Sequence, residues 1–402
     1  MNKRLSRVAL MIAAGAALLS GCATVAPKCS PEDNPAQQYV TGMKFLDEGD
    51  SAAAQGKFER ALYCDEQFSS AHAGLAIITA EKYKAQTDPA FKAVEGERVT
   101  AELNKAKKLA DRPDQRFDYF AAVIRTDTLM KQNNWLAHAE EAYQDGSKLK
   151  VDERTLSYYQ GSEALSYFMG VARLEGMEFQ KARDLFSSVL NARRDGKWHE
   201  KADKGWKRVD KITRALAGLT VGDAGKSIAT RDKITRADLA SLIINELKID
   251  TVMAGRIPLE ARNARKAEFT PADMTGHPFK DEVLTLMKWN VRGMEPKYDE
   301  TTRAYLFKPT DPVSRGEMAL ILEDVLVKIT GDEKIATAYF GQERSPFPDV
   351  KPTSAFYNAV MNMTTRSIME SEFSGEFRVN SPVDGAEALL AIRVLKQKLT
   401  TY

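Results

Sequence analysis

Phe307-Lys308-Pro309-Thr310-Asp311-Pro312-Val313-Ser314-Arg315-Gly316-Glu317-Met318-Ala319-Leu320 returns seventy residues later as Phe377-Arg378-Val379-Asn380-Ser381-Pro382-Val383-Asp384-Gly385-Ala386-Glu387-Ala388-Leu389-Leu390. Phenylalanine, proline, valine, glutamate and the apolar steps coincide without a gap. A third copy stands earlier as Ile234-Thr235-Arg236-Ala237-Asp238-Leu239-Ala240, with Ile228 in the phenylalanine slot. Upstream of the two later copies come Ala272-Asp273-Met274 and Pro348-Asp349-Val350, 76 residues apart. Each leads into a helix, expected to end near Gly293-Met294 and Ile368-Met369. A serine or threonine followed three residues later by an acid is a capping box, which satisfies the orphan amides at a helix start. Ser314 with Glu317 complies fully, and Thr235 with Asp238 does so with the shorter acid. Three repeats follow, at about 199–248, 270–330 and 345–398.

This pattern is similar to the S-layer homology domain, whose repeat opens with F-x-D-V, runs through a helix and an F-x-P loop, and starts its second helix with T-R-A-E. Phe347-Pro348-Asp349-Val350 and Ser314-Arg315-Gly316-Glu317 are the nearest matches, and the resemblance covers residues 199–402. It implies a pseudo-three-fold helical bundle with grooves between repeats that grip a cell-wall polymer. Carried over, Arg236 and Arg315 are the glycan-binding residues, because a planar guanidinium matches a carboxylate bidentately and stays charged. The other reading of these arginines is pairing with neighbouring carboxylates. Repeat three has Asp384-Gly385 where Thr-Arg belongs, so at most two sites work as the family's do. Repeat one is weak in its opening half, around Trp206 to Val221.

Upstream, Gly42, Phe45, Ala54, Phe58 and Ala61 resemble a tetratricopeptide repeat, with Gly49-Asp50 at the turn. The same twelve- and four-residue steps return at Gly170, Ala182 and Phe186, with Gly176 at the turn. Small residues let helices approach closely and aromatics fill the groove between them. The repeats between are degenerate: a first helix over Ala71 to Tyr83, a polar insertion from Ala85 to Pro89, a charged helix to Leu109, then a hairpin of Phe117 to Met130 and Trp135 to Leu149. After Cys64 the repeat's usual proline is missing and Glu66 stands nearby. The resemblance spans 35–198 and implies an array with a concave protein-binding face; the alternative is a spacer. Phe117, Tyr119, Trp135, Tyr158 and Tyr159 are either groove lining or core. The basic stretch Arg193, Arg194, Lys197, Lys201, Lys204, Lys207, Arg208, Lys211 has Asp195, Glu200, Asp203 and Asp210 interleaved, reads as a solvated helix face, and marks the domain boundary.

At the N-terminus, Lys3, Arg4 and Arg7 precede the apolar run Val8 to Leu19, which is too short to span a bilayer as a helix. It has the dimensions of a signal-peptide core, so residues 1–21 are expected to be removed. Leu19-Ser20-Gly21-Cys22 resembles a lipobox, which implies that Cys22 is lipidated and tethers the protein to a membrane through 22–34. Several acyl chains anchor stably where one is marginal. Ala23 after the cysteine favours the outer membrane, with the body facing the periplasm. The remaining cysteines, Cys29 and Cys64, are placed just before one helix and at the end of its antiparallel partner. A disulfide there closes a loop worth on the order of 4 kcal/mol; the alternative is two free thiols.

Losing residues 1–21 leaves 381 of the 402 residues and takes the formal charge from +2 to about −1, no footprint for nucleic acid. Composition is that of a globular, mostly helical chain, and the fold class expected is all-α. The four histidines are scattered and no His-Glu-x-x-His, Gly-x-Ser-x-Gly or phosphate loop appears. The sequence therefore leads to no enzyme, no metal and no cofactor. It points to an outer-membrane lipoprotein that grips peptidoglycan or a wall-linked glycan, with a protein partner on the helical array. The alternative is an accessory subunit of an outer-membrane assembly or export complex.

Overall fold

A computed structural model of the chain describes residues 29–30, 33–192, 195–217, 221–248 and 270–400. The signal segment, Cys22, Arg193 and Arg194 lie outside the described residues.

The first half is a series of antiparallel helix pairs: α1 (Pro35–Glu48) with α2 (Ser51–Cys64), α3 (Ser69–Ala85) with α4 (Pro89–Leu109), α5 (Pro113–Met130) with α6 (Trp135–Ser147), and α7 (Glu163–Glu175) with α8 (Phe179–Ala192). Local chemistry sets the ends. Asn34 accepts the Gln37 amide to start α1, left-handed Gly49 stops it, and Asp50 caps α2. The glycine–phenylalanine spacing becomes close packing. Phe58 is sandwiched between Gly42 of α1 and Gly74 of α3, where a Cβ on either glycine would come within 2.5 Å of its ring. Phe186 is held the same way between Gly170 of α7 and Gly205 of α9 (His199–Leu216), where a Cβ on either glycine would come within 2.8 Å of its ring. Helix α9 thus occupies the position that the next hairpin's first helix would take.

Helices α1, α5 and α7 each meet the segment between α6 and α7. Tyr158 and Tyr159 are buried. The Tyr159 ring meets Phe117 of α5, Phe168 of α7 and Trp198. The Tyr158 hydroxyl donates to Asp47 of α1 at 2.9 Å. Phe117, Tyr158 and Tyr159 are therefore core, not the lining of an open groove; Tyr119 and Trp135 are half-buried. The Trp198 indole N–H donates to the Tyr159 carbonyl at 2.7 Å and fixes the start of α9 to this cluster.

Helix α9 then packs against α15 (Gly385–Thr400), the last helix of the second half. That half contains α10 (Asp223–Ala229), α11 (Arg236–Leu247), α12 (Lys280–Lys288), α13 (Arg315–Thr330) and α14 (Tyr357–Thr365). Its three equivalent loops meet in a closed cycle of backbone hydrogen bonds. The Ile234 amide donates to Val383 O at 2.9 Å, Val383 to Val313 O at 3.0 Å, and Val313 to Ile234 O at 3.1 Å. All three side chains are buried. The shared valine or isoleucine slot of the three copies is thus an axial contact.

Two short strands stand among the helices of the described residues. Lys297–Asp299 (β1) pairs antiparallel with Ala304–Leu306 (β2), and Asp299 accepts the amides of Thr301 and Thr302 to close the turn. Each strand has three residues, too few for a period-two signal to stand out in sequence. No helix among the described residues is long and apolar enough to cross a membrane.

Candidate functional site

Each of the helices α11, α13 and α15 begins with orphan amides, and the neighbouring repeat's loop satisfies them. Arg236 and Ala237 donate to Asp311 O and Pro309 O; Arg315 and Gly316 donate to Ser381 O and Val379 O. These are equivalent atoms in successive repeats. Both expected capping boxes are formed, on Thr235 with Asp238 and on Ser314 with Glu317. In the third copy Asp384 accepts the Glu387 amide.

The two candidate arginines point into these joints. Arg236 Nε donates to Phe307 O at 3.0 Å, Nη1 to Gly293 O at 2.7 Å and Nη2 to Glu295 O at 3.1 Å. Arg315 repeats the arrangement on Phe377 O at 2.6 Å and Glu370 O at 2.5 Å, and adds an ion pair with Glu387. Their guanidiniums lie over the Phe307 and Phe377 rings. They are only 6% and 3% exposed, so most of their donors are spent on the protein's own backbone. Burial lowers the pKa of both. Chemically they are latches that tie one repeat to the loop of the next, and Arg315 also borders a cavity.

A second device clamps the same loops. Asp273 accepts the amides of Phe307 and Lys308, and Asp349 accepts those of Phe377 and Val379. Burial raises the Asp349 pKa, but the backbone amides outweigh it and hold the carboxyl below its ordinary value. Lys308 and Arg378, at equivalent places, both turn through the left-handed region, at φ 57° and 56°. The opening aspartates stood at matching places in the sequence, a signal of shared role that reading by helix periodicity passes over.

The cavity bordered by Arg315 has a volume of about 810 Å³ and lies between the third repeat and α9, with Arg315 the residue of repeat two that reaches it. Cations at its rim come from three elements: Arg315 from α13, Arg378 from the loop, and Lys211 and Arg214 from α9. Glu370, Glu372 and Glu387 stand among them. Arg378 pairs with Glu372 at 2.8 Å, and both side chains are 45% exposed, so an entering anion can compete for the arginine.

The third joint is built differently. Gly385 replaces the latch arginine, and its amide donates to Arg231 O. Lys211 of α9, from the opening helix of the first repeat, comes in 2.6 Å from Asp384 and 3.7 Å from Glu387. Arg208 of α9 pairs with Asp232 and donates to Thr230 O. The basic stretch therefore holds more than a solvated face: Lys204 and Lys207 pair along the helix with Glu200 and Asp203, while Arg208 and Lys211 fasten the bundle.

Cys29 and Cys64 are joined, with Cα atoms 5.6 Å apart, so the disulfide fastens the chain before α1 to the end of α2. Their sulfurs and the Asp33 carboxylate cluster within 4.8 Å. Both sulfurs are committed to the bridge.

No curated protein and no solved structure matches the chain. Residues 346–389, which run from the segment before the Asp349 clamp to the first turns of α15, match the family model described as the S-layer homology domain. On that match the chain carries an S-layer homology domain at 346–389 and is associated with the cell envelope.

Proposed function

We propose that the protein is a non-enzymatic envelope tether: a lipoprotein, anchored through Cys22 in the outer membrane, whose C-terminal repeats grip peptidoglycan or a wall-linked glycan. The observation that carries the reading is the cation-rimmed cavity between the third repeat and α9, which lies at the matched domain. Its exposed cations Arg378 and Arg214 are suited to an anionic substituent on the polymer. The latches Arg236 and Arg315 hold the groove in shape. Weak binding by single molecules becomes effective through many copies at one membrane surface.

The first half is a tetratricopeptide-like array that holds the bundle away from the membrane. Because its interior is filled by Tyr158 and Tyr159, a protein partner would meet its outer faces. The test is co-sedimentation with Gram-negative peptidoglycan sacculi. Wild type should pellet with the wall, and Arg378→Ala/Arg214→Ala should weaken this while leaving the melting temperature unchanged. A folded wild-type protein that stays in the supernatant would overturn the tether reading and leave the accessory-subunit role in its place.

A further inference from the structure

Phe373 is wholly exposed, at 113% of its reference area, and stands on the wall of the cavity beside Glu370 and Glu372. It is presented by a hydrogen-bonded turn: the Glu372 amide donates to Glu376 O and the Gly375 amide to Glu372 O, both at 2.9 Å. The turn joins the latched carbonyl of Glu370 to the clamped amide of Phe377. In the preceding repeat the equivalent stretch, between latched Glu295 and clamped Phe307, is longer and folds into the β1–β2 hairpin. There Tyr298 and Tyr305 face each other across the strands, ring centroids 5.3 Å apart, 48% and 54% exposed. Two repeats thus carry water-facing aromatics at the same place between latch and clamp, each on a turn braced by its own hydrogen bonds.

Keeping large apolar rings in water is unfavourable, and neither set is part of the core. Charged groups flank both: Glu370, Glu372 and Arg378 around Phe373, and Lys297, Asp299, Arg303 and Lys308 in and beside the hairpin. That is not the broad apolar face with which a helix enters a lipid surface. A single ring in polar surroundings fits a pyranose, whose C–H face packs on an aromatic while its hydroxyls reach neighbouring polar groups. We propose that Phe373 and the Tyr298–Tyr305 pair are stacking platforms for the sugar rings of the wall glycan strand. This rests on the wall-binding reading above and deepens it: recognition runs through the sugar backbone as well as through charge.

The test uses the full-length, detergent-purified protein, with Phe373→Ser, Phe373→Tyr and Tyr298→Ser/Tyr305→Ser variants checked for unchanged melting temperature. The probes are intact sacculi, glycan strands stripped of peptide by an amidase, and phosphatidylglycerol vesicles. Wild type and Phe373→Tyr should bind sacculi and stripped strands. Each serine variant should lose about tenfold in affinity for stripped strands. Serine variants that bind stripped strands as wild type does would overturn the platforms and leave the tether standing. So would wild type that binds sacculi but not stripped strands, or aromatic-dependent binding to the vesicles. Wild type that binds no sacculi would remove the tether reading and the platforms with it.

Discussion

Gly385 stands directly against the carbonyl of Ile228: a Cβ built on the glycine would lie 1.7 Å from that oxygen and 2.6 Å from the carbonyl carbon. The equivalent carbonyls in the other two joints, Phe307 O and Phe377 O, are held by the latch arginines. The third joint therefore closes backbone on backbone, and its missing arginine is a packing requirement rather than simple decay. Gly385→Ala should destabilise by about 1–3 kcal/mol or more, since a backbone oxygen cannot swing aside as a side chain can. Gly385→Arg, which restores the family residue, should be worse. Thermal melts decide this; an unchanged melting temperature in Gly385→Ala would contradict the contact.

Arg236→Ala and Arg315→Ala are expected to lower stability through the buried carbonyls they leave unpaired, at about 1–3 kcal/mol per orphaned group. Lysine should not rescue either position, because one ammonium cannot reproduce a guanidinium fork across Phe307, Gly293 and Glu295. Denaturant midpoints check this. Lysine variants as stable as wild type would show that charge alone holds the joints.

Phe58→Ala and Phe186→Ala should each cost about 3–5 kcal/mol, the range for deleting a fully buried aromatic. Gly42→Val and Gly170→Val should also destabilise, because the rings already fill the space a side chain would need. Equilibrium unfolding followed by circular dichroism reads both. A loss below 1 kcal/mol at either phenylalanine would mean that the sandwich collapses freely.

Asp118 of α5 is buried beside the Ser70 and Tyr39 side chains, and burial raises its pKa to about 7. The folded state therefore holds a proton that the unfolded chain releases near pH 4. The stability this group contributes is full at low pH, declines as pH rises from about 4 to 7, and is lost above that. Asp118→Asn keeps a neutral side chain throughout. Stability of wild type relative to this variant should fall between pH 4 and 7 and level off beyond; parallel curves across that range would contradict the assignment.

Much of this architecture was open to a reader of the sequence. The capping boxes at Thr235 and Ser314 and the Gly42–Phe58 and Gly170–Phe186 spacings express local geometry, and local geometry survives into the fold. The arginines show where that stops. Their family role implied ligand contacts, whereas the direction each side chain takes depends on carbonyls 55 to 71 residues away. Lys211 was equally hidden: it sits in a run of charges that looks uniform, and its partner Asp384 is 173 residues distant. Gly74 and Gly205 had no visible motif of their own and gain meaning only through the rings of Phe58 and Phe186. Tyr158 and Tyr159 lie outside any long helix, so no periodicity announced their burial.

Helix α9 belongs to both halves at once, gripped by Phe186 on one side and by α15 on the other. There is accordingly no swivel between array and bundle where α9 passes. A pull applied at the two ends of the described chain would run through packed side chains and ion pairs rather than through a slack connector. In the tether proposed above, such a molecule would serve as a strut, resisting compression as well as stretch and setting a spacing instead of merely limiting one.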